Sequence, residues 1–122
     1  MTINEIATNL YMLPVKLRFC HHLTTSGFHH TRIGDAYDKL NDLSDEIVEK
    51  LMGYMSKRFT DVTLIPISGY KETYPTKVCN EIIMFSSSLC EFAKENGYLD
   101  IENLAQSYSG VAAHLKGFLI DN

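Results

Sequence analysis

In four separate stretches of this chain, apolar residues recur at alternating intervals of four and three. That step keeps them on one side of a 3.6-residue helix and cannot be matched to a strand, whose faces alternate every residue. The first stretch, from about Ile3 to Leu23, carries Ile6, Leu10, Leu13 and Leu17. The second, from about Phe28 to Met55, carries Ile33, Tyr37, Leu40, Ser44, Ile47 and Leu51. The third starts near Pro75 and steps through Val78, Ile82, Phe85, Leu89 and Phe92. The fourth starts near Asp100 and steps through Leu104, Tyr108, Val111, Leu115 and Phe118.

Stop and start signals bracket these stretches. Thr2 and Glu5 fit a capping box, in which each side chain satisfies the other residue's backbone N–H. Ser26-Gly27 marks a break and a new start, Pro75 suits a first helical turn, and Asn96-Gly97 supplies a left-handed stop. Pro14 lies inside the first apolar stripe and is expected to kink or split that helix. Gly110 and Gly117 weaken the fourth helix and offer places for close helix approach. Between Lys57 and Tyr74 the pattern lapses. Val62, Leu64, Ile65 and Ile67 are β-prone, but Pro66 and Gly69 interrupt them, so an extended or short helical piece is expected in a connection. With 122 residues, the chain is one domain, spanning 1–122, with a core large enough to stand without staples. The expected fold is all-α, a four-helix bundle with a long connection between helices 2 and 3.

Composition removes several function classes. Apolar residues make up 45% and charged residues 21%, which is the balance of a globular chain and not of a disordered one. The longest near-apolar run, Leu10 to Leu17, holds Pro14 and Lys16 and falls far short of about 20 residues, so no membrane span is expected. No basic segment followed by an apolar one opens the sequence, so the expected location is the cytoplasm of the producing or infected cell. Eleven basic residues stand against fifteen acidic ones, and no Lys or Arg precedes Lys16 or follows Lys116. DNA binding through charged tails is therefore not expected. Cys20, Cys79 and Cys90 are too sparse for a cysteine zinc site and read as small hydrophobes.

Chemistry is concentrated in residues 21–49. With His30 set at zero on the second helix and about 100° per residue, Asp45 falls near ~60°, Asp38 near ~80°, Glu49 near ~100° and Asp42 near ~120°. The apolar stripe centres near ~300°. The carboxylates thus lie outside the core-facing side, about 120–180° round the helix from its centre. A solvated face is the plain reading of such a stripe. Carboxylates four apart repel, and a stripe of them costs stability unless something cationic neutralises it. His21 continues the apolar face of the first helix, where a hydrogen-bonded core histidine is the plain reading. Together, neutral imidazole and carboxylate oxygens form the ligand set that suits iron, manganese and zinc.

The run His21-His22-Leu23-Thr24-Thr25-Ser26-Gly27-Phe28-His29-His30, then Tyr37-Asp38-Lys39-Leu40, then Asp45-Glu46-Ile47-Val48-Glu49, resembles the first half of the starvation-inducible DNA-protecting ferritins (Dps). It is especially similar to a compact Dps-like group common in tailed bacteriophages. The spacing that carries the resemblance is fifteen residues from His30 to Asp45 and four from Asp45 to Glu49. Tyr37 and the His114-Leu115 pair also fit. This sequence has His22 where the family usually has tryptophan, and it lacks the basic N-terminal extension that some Dps proteins use to hold DNA. It also has no ExxH motif, so an intra-bundle di-iron site is not expected.

The resemblance implies a ferritin-like bundle and an iron site shared by two subunits. The histidines would come from one chain, the Asp and Glu from its two-fold mate. His21, His30, Asp45 and Glu49 would be the ligands, and His22, His29, Asp38 and Asp42 possible auxiliaries. The implied activity is ferroxidase, with iron oxidised and then stored, manganese or zinc being possible substitutes. The implied partner is the chain itself, as a homodimer or larger homo-oligomer. A second reading keeps the scaffold but makes it a non-enzymatic homo-oligomeric protein that binds a nucleotide, a host protein or a virion component. A third, a helical DNA- or RNA-associated protein, is opposed by the acidic balance.

Overall fold

In the computed structural model, which describes residues 1–120, the four periodic stretches are four helices. They are α1 (Ile3–Leu23), α2 (Gly27–Met55), α3 (Tyr74–Asn96) and α4 (Leu99–Phe118), and there is no strand among the described residues. The caps are those the sequence announces. Thr2 Oγ1 accepts from Glu5 N–H at 3.1 Å, and Thr2 N–H donates back to the Glu5 carboxylate. Ser26 Oγ accepts from His29 N–H at 3.2 Å and starts α2. Gly97 ends α3 with φ +72°, a conformation glycine reaches without a Cβ penalty. Pro14 does not split α1, which runs unbroken through it. Proline removes one backbone donor, but its ring is buried, and the turns on either side hold their own hydrogen bonds.

α1 lies beside α2 and α3, and α4 completes the square beside the same two helices. Side-chain pairs fix the directions. Lys16 binds Glu81 at 2.7 Å while Phe19 meets Tyr74, so α1 and α3 are antiparallel. Tyr54 stacks on Tyr98 and Arg32 on Phe118, so α2 and α4 are antiparallel. α2 and α3 therefore run the same way. Residues 56–73 join them with neither helix nor strand. This connection follows α1 along its length: Thr63 N–H donates to Thr8 Oγ1 near the start of α1, and Tyr70 stands edge-on to Phe19 near its end. Its β-prone residues are not in a sheet. Val62, Leu64 and Ile65 are exposed, Leu64 by 83%.

The core is the sum of the four inward stripes. The α4 stripe differs from the sequence reading. It runs through Ile101, Ala105, Tyr108, Ala112 and Leu115, with Leu104, Val111 and Phe118 only half-buried beside it. The large side chains suggested one register; two alanines that let α4 sit close carry the other. Gly110 and Gly117 are not points of close approach, since a Cβ on either would meet nothing within 4 Å.

One polar pair is sealed in this core. Tyr108 is fully buried and its hydroxyl lies 2.8 Å from Ser44 Oγ. Burial holds its phenol well above the usual tyrosine value. Tyr108→Phe or Ser44→Ala alone strands the other hydroxyl and is expected to cost about 1–3 kcal/mol. The double variant strands neither, so it should recover most of that loss. Denaturant unfolding of the four proteins measures the coupling.

Cys20 and Cys79 are buried and Cys90 is half-buried. Burial, then the neighbouring Cys79, pushes the Cys20 thiol from 9.0 up to about 12. Burial pushes Cys79 from 9.0 up to about 11. Folded values above unfolded ones mean that the neutral thiols stabilise the fold fully below pH 9.0, and that this is lost as pH climbs toward those folded values. At pH ~8 a thiol reagent should label Cys90 quickly and the other two only on unfolding. Peptide mapping by mass spectrometry checks the order.

Candidate metal-ligand site at the α1–α2 turn

The short turn 24–26 brings the end of α1 against the start of α2, and two histidines lock it. His21 Nδ1 donates to the His30 carbonyl and His30 Nδ1 donates to the His21 carbonyl, each at 2.8 Å. The two rings stack with centroids 3.9 Å apart and 21° between planes. A carbonyl can only accept, so both Nδ1 atoms carry the proton in this arrangement. In each neutral ring the lone pair then sits on Nε2, which has no hydrogen-bond partner among the described residues. This is the tautomer selection that a backbone carbonyl imposes on a metal-binding histidine. The same bond also satisfies the His21 carbonyl, one of the orphan acceptors in the last turn of α1.

The ring of His21 lies against the backbone of α2 at Gly34. A Cβ on Gly34 would stand 2.7 Å from His21 Cε1 and 2.9 Å from Nδ1. Any other residue would push the ring out of its stack. The sequence reading passed over Gly34. The signal was present: a glycine four residues after His30, inside an unbroken helical period, with no turn or cap to serve.

The other two histidines go elsewhere. His22 is exposed, with its ring 5.3 Å from that of His21. It shares an open depression of ≈320 Å³ with Arg18, His21, Thr31, Asp35, Tyr37 and Asp38, Asp35 also reaching the cleft on the α4 side. His29 turns to the opposite side and lines a cavity with Tyr70 and Glu72. His114 is exposed and stands edge-on to Phe118.

Asp38, Asp42, Asp45 and Glu49 are all exposed along α2. None of them forms an ion pair among the described residues, whereas Glu46 on the same helix pairs with Lys50. Asp45 and Glu49 do not join the histidines within one chain. At 1.5 Å per residue they lie about 22 and 28 Å along the helix from His30. Among the described residues no three His, Cys, Asp or Glu side chains gather to hold an ion. The expected ligands therefore lie at two separate places, the histidines against α1 and the two carboxylates toward the end of α2.

The surface between the two places is partly apolar. Tyr11, Val15, Arg18 and His22 follow one exposed strip of α1 at intervals of four, three and four. Tyr11 is 51% and Val15 47% exposed. No described helix is long and apolar enough to cross a membrane. Comparison with known protein families, curated proteins and solved structures finds no match. The fold and the turn thus define an all-helical four-helix bundle with a fixed imidazole pair at one end.

Proposed function

We propose that the protein is a Dps-like, ferritin-like protein that binds Fe²⁺ between two copies of itself and oxidises it. The observation that carries this reading is the reciprocal His21–His30 pair, which fixes both rings in the tautomer with a free Nε2 lone pair. One long connection between parallel helices is a feature that ferritin-like bundles have, and it supports the same reading. So does the run of unpaired carboxylates, which a cation would neutralise.

Two copies complete the site if α2 packs against α2 antiparallel about a two-fold axis. The axis must cross α2 midway between His30 and Asp45 or Glu49, near Asp38 and Lys39. It then brings the nitrogen half of one protomer to the carboxylate half of the other at both ends, as an isologous contact requires. Tyr11 and Val15 are available to be covered by the same contact. In the site His21 and His30 supply neutral nitrogen, and Asp45 and Glu49 supply charge that holds ferric iron better than ferrous. Two Fe²⁺ ions give two electrons to one hydrogen peroxide, which takes up two protons and leaves as two waters. Asp38 and Asp42 lie between the half-sites as a carboxylate track for incoming cations.

A second reading is a non-enzymatic homo-oligomeric binding or structural protein on the same scaffold. It is favoured by the fact that the histidine pair alone already fastens the α1–α2 turn.

Untagged protein separates the two. Under the iron reading, anaerobic Fe²⁺ raises the melting temperature, light scattering at micromolar concentration gives at least a dimer, and peroxide converts the bound iron to the ferric form. A monomer with no metal-dependent shift and no oxidation leaves the histidines as fasteners and the stripe as a solvated face.

A further inference from the structure

α2 shows a different chemistry to its other neighbour. Arg32, Asp35 and Lys39, at intervals of three and four, face α4, where His114 and Phe118 lie across from them. Between the two helices is a cleft of ≈440 Å³, within the size range of small-molecule sites. We propose that this cleft binds a small phosphate monoester through Arg32.

Among the described residues, Arg32 is held in place by aromatic rings and not by a carboxylate. Its guanidinium carbon sits 4.1 Å above the Phe118 ring centroid and 5.3 Å from that of Phe28. The two phenyl rings meet edge-on at 5.9 Å, and His114 stands edge-on to Phe118 at 5.0 Å. Stacking uses the face of the guanidinium and leaves its N–H edge open. Among the described residues Arg32 makes no ion pair and no side-chain hydrogen bond, although Asp35 is one turn away. A planar fork of donors, pre-oriented and unspent, matches two oxygens of a phosphate better than any single-point anion.

The rest of the cleft limits the ligand. Lys39 adds a second cation and Asp35 a single carboxylate, so the balance favours an anion. The space exceeds what inorganic phosphate fills. Asp35 and the Ser107 hydroxyl can accept from the hydroxyl groups of a sugar, and Val111 and Leu115 give it an apolar side. Gly110 forms part of the wall. It serves no close helix contact, since a Cβ there meets nothing within 4 Å. Its bare backbone keeps the cleft open.

Calorimetric titration with ribose 5-phosphate, AMP, adenosine and inorganic phosphate tests the proposal. Ribose 5-phosphate and AMP should bind, adenosine should not, and inorganic phosphate should bind more weakly than either ester. Arg32→Gln should weaken both esters about tenfold or more, the loss expected for a charge-assisted pair. Arg32→Lys should weaken them too, because an ammonium lacks the fork. Gly110→Met should fill the cleft and abolish binding with an unchanged or higher melting temperature, since methionine is the better helix former. The proposal is overturned if neither ester binds at millimolar concentration. Adenosine binding as well as AMP, inorganic phosphate binding as well as the esters, or wild-type affinity in Arg32→Gln and Gly110→Met would each overturn it as well. Arg32 lies on the opposite side of α2 from His30 and Gly110 lies on α4, so failure here and failure of the iron reading are distinguishable.

Discussion

Replacing Asp45 or Glu49 with alanine is expected to remove the metal response of the protein completely while leaving its metal-free stability intact. Both side chains are exposed and neither is paired among the described residues, so truncation costs no packing and no ion pair. They stand four apart on α2 and repel each other, so removing either is worth about 0.2–0.5 kcal/mol in favour of the fold. The wild type, with free metal at a hundred times its dissociation constant, should gain about 2.7 kcal/mol, because the ion binds only the folded state. Each variant loses an anionic ligand and should gain nothing. Asp38→Ala and Asp42→Ala should keep the gain. Scanning calorimetry with and without Fe²⁺ reads all five proteins. An equal shift in wild type and both ligand variants places the metal elsewhere and ends the inter-subunit assignment.

Gly34→Ala is the second large effect, and it isolates the histidine geometry. Alanine improves a helix interior by about 1 kcal/mol over glycine. Against this, the new methyl stands 2.7 Å from His21 Cε1. That atom is the end of a side chain that can rotate, so the ring yields before the backbone does. The stack and the two Nδ1 bonds are lost, at about 1 kcal/mol each for ordinary hydrogen bonds. The helix gain offsets about half of that loss, so the variant should fold about 1 kcal/mol less stably than wild type. Its metal response should nonetheless vanish, because the two Nε2 atoms are no longer fixed together. Imidazole ¹⁵N shifts report the lost tautomer lock independently of metal. If those shifts change and metal binding does not, the clamp is only a fastener of the turn.

These two cases also mark how far the sequence could be read. Four helices, the Thr2–Glu5 box, the Ser26 start and the Gly97 stop follow from local rules, because each is decided within one or two helical turns. The inward stripes of α1, α2 and α3 follow for the same reason, except that Tyr37 and Phe92 are only half-buried and their neighbours Ala36 and Ala93 are buried. Large aliphatic residues at four-and-three spacing have one way to leave water. The α4 register did not follow, because whether Ala105 or Leu104 faces inward depends on how near the neighbouring helices come. The connection over residues 56–73 was legible as a connection, but its course was not, since that is set by Thr8 and Phe19 on α1.

For the site, spacing alone placed His30, Asp38, Asp45 and Glu49 on one side of α2, a property of the helix. It could not say that His21 and His30 would each bond the other's carbonyl. That depends on the angle at which α1 and α2 meet and on Gly34 leaving room for a ring. Nor could it find the Arg32–Phe118 contact, which joins residues 86 apart in sequence that only the closing of α4 against α2 makes neighbours. What the sequence by itself determined is whatever a single helix decides: its limits, its faces and the intervals between its functional groups. What only the tertiary structure decided is which faces meet, because that is fixed by side-chain volumes summed over the whole core, and no local stretch contains that sum.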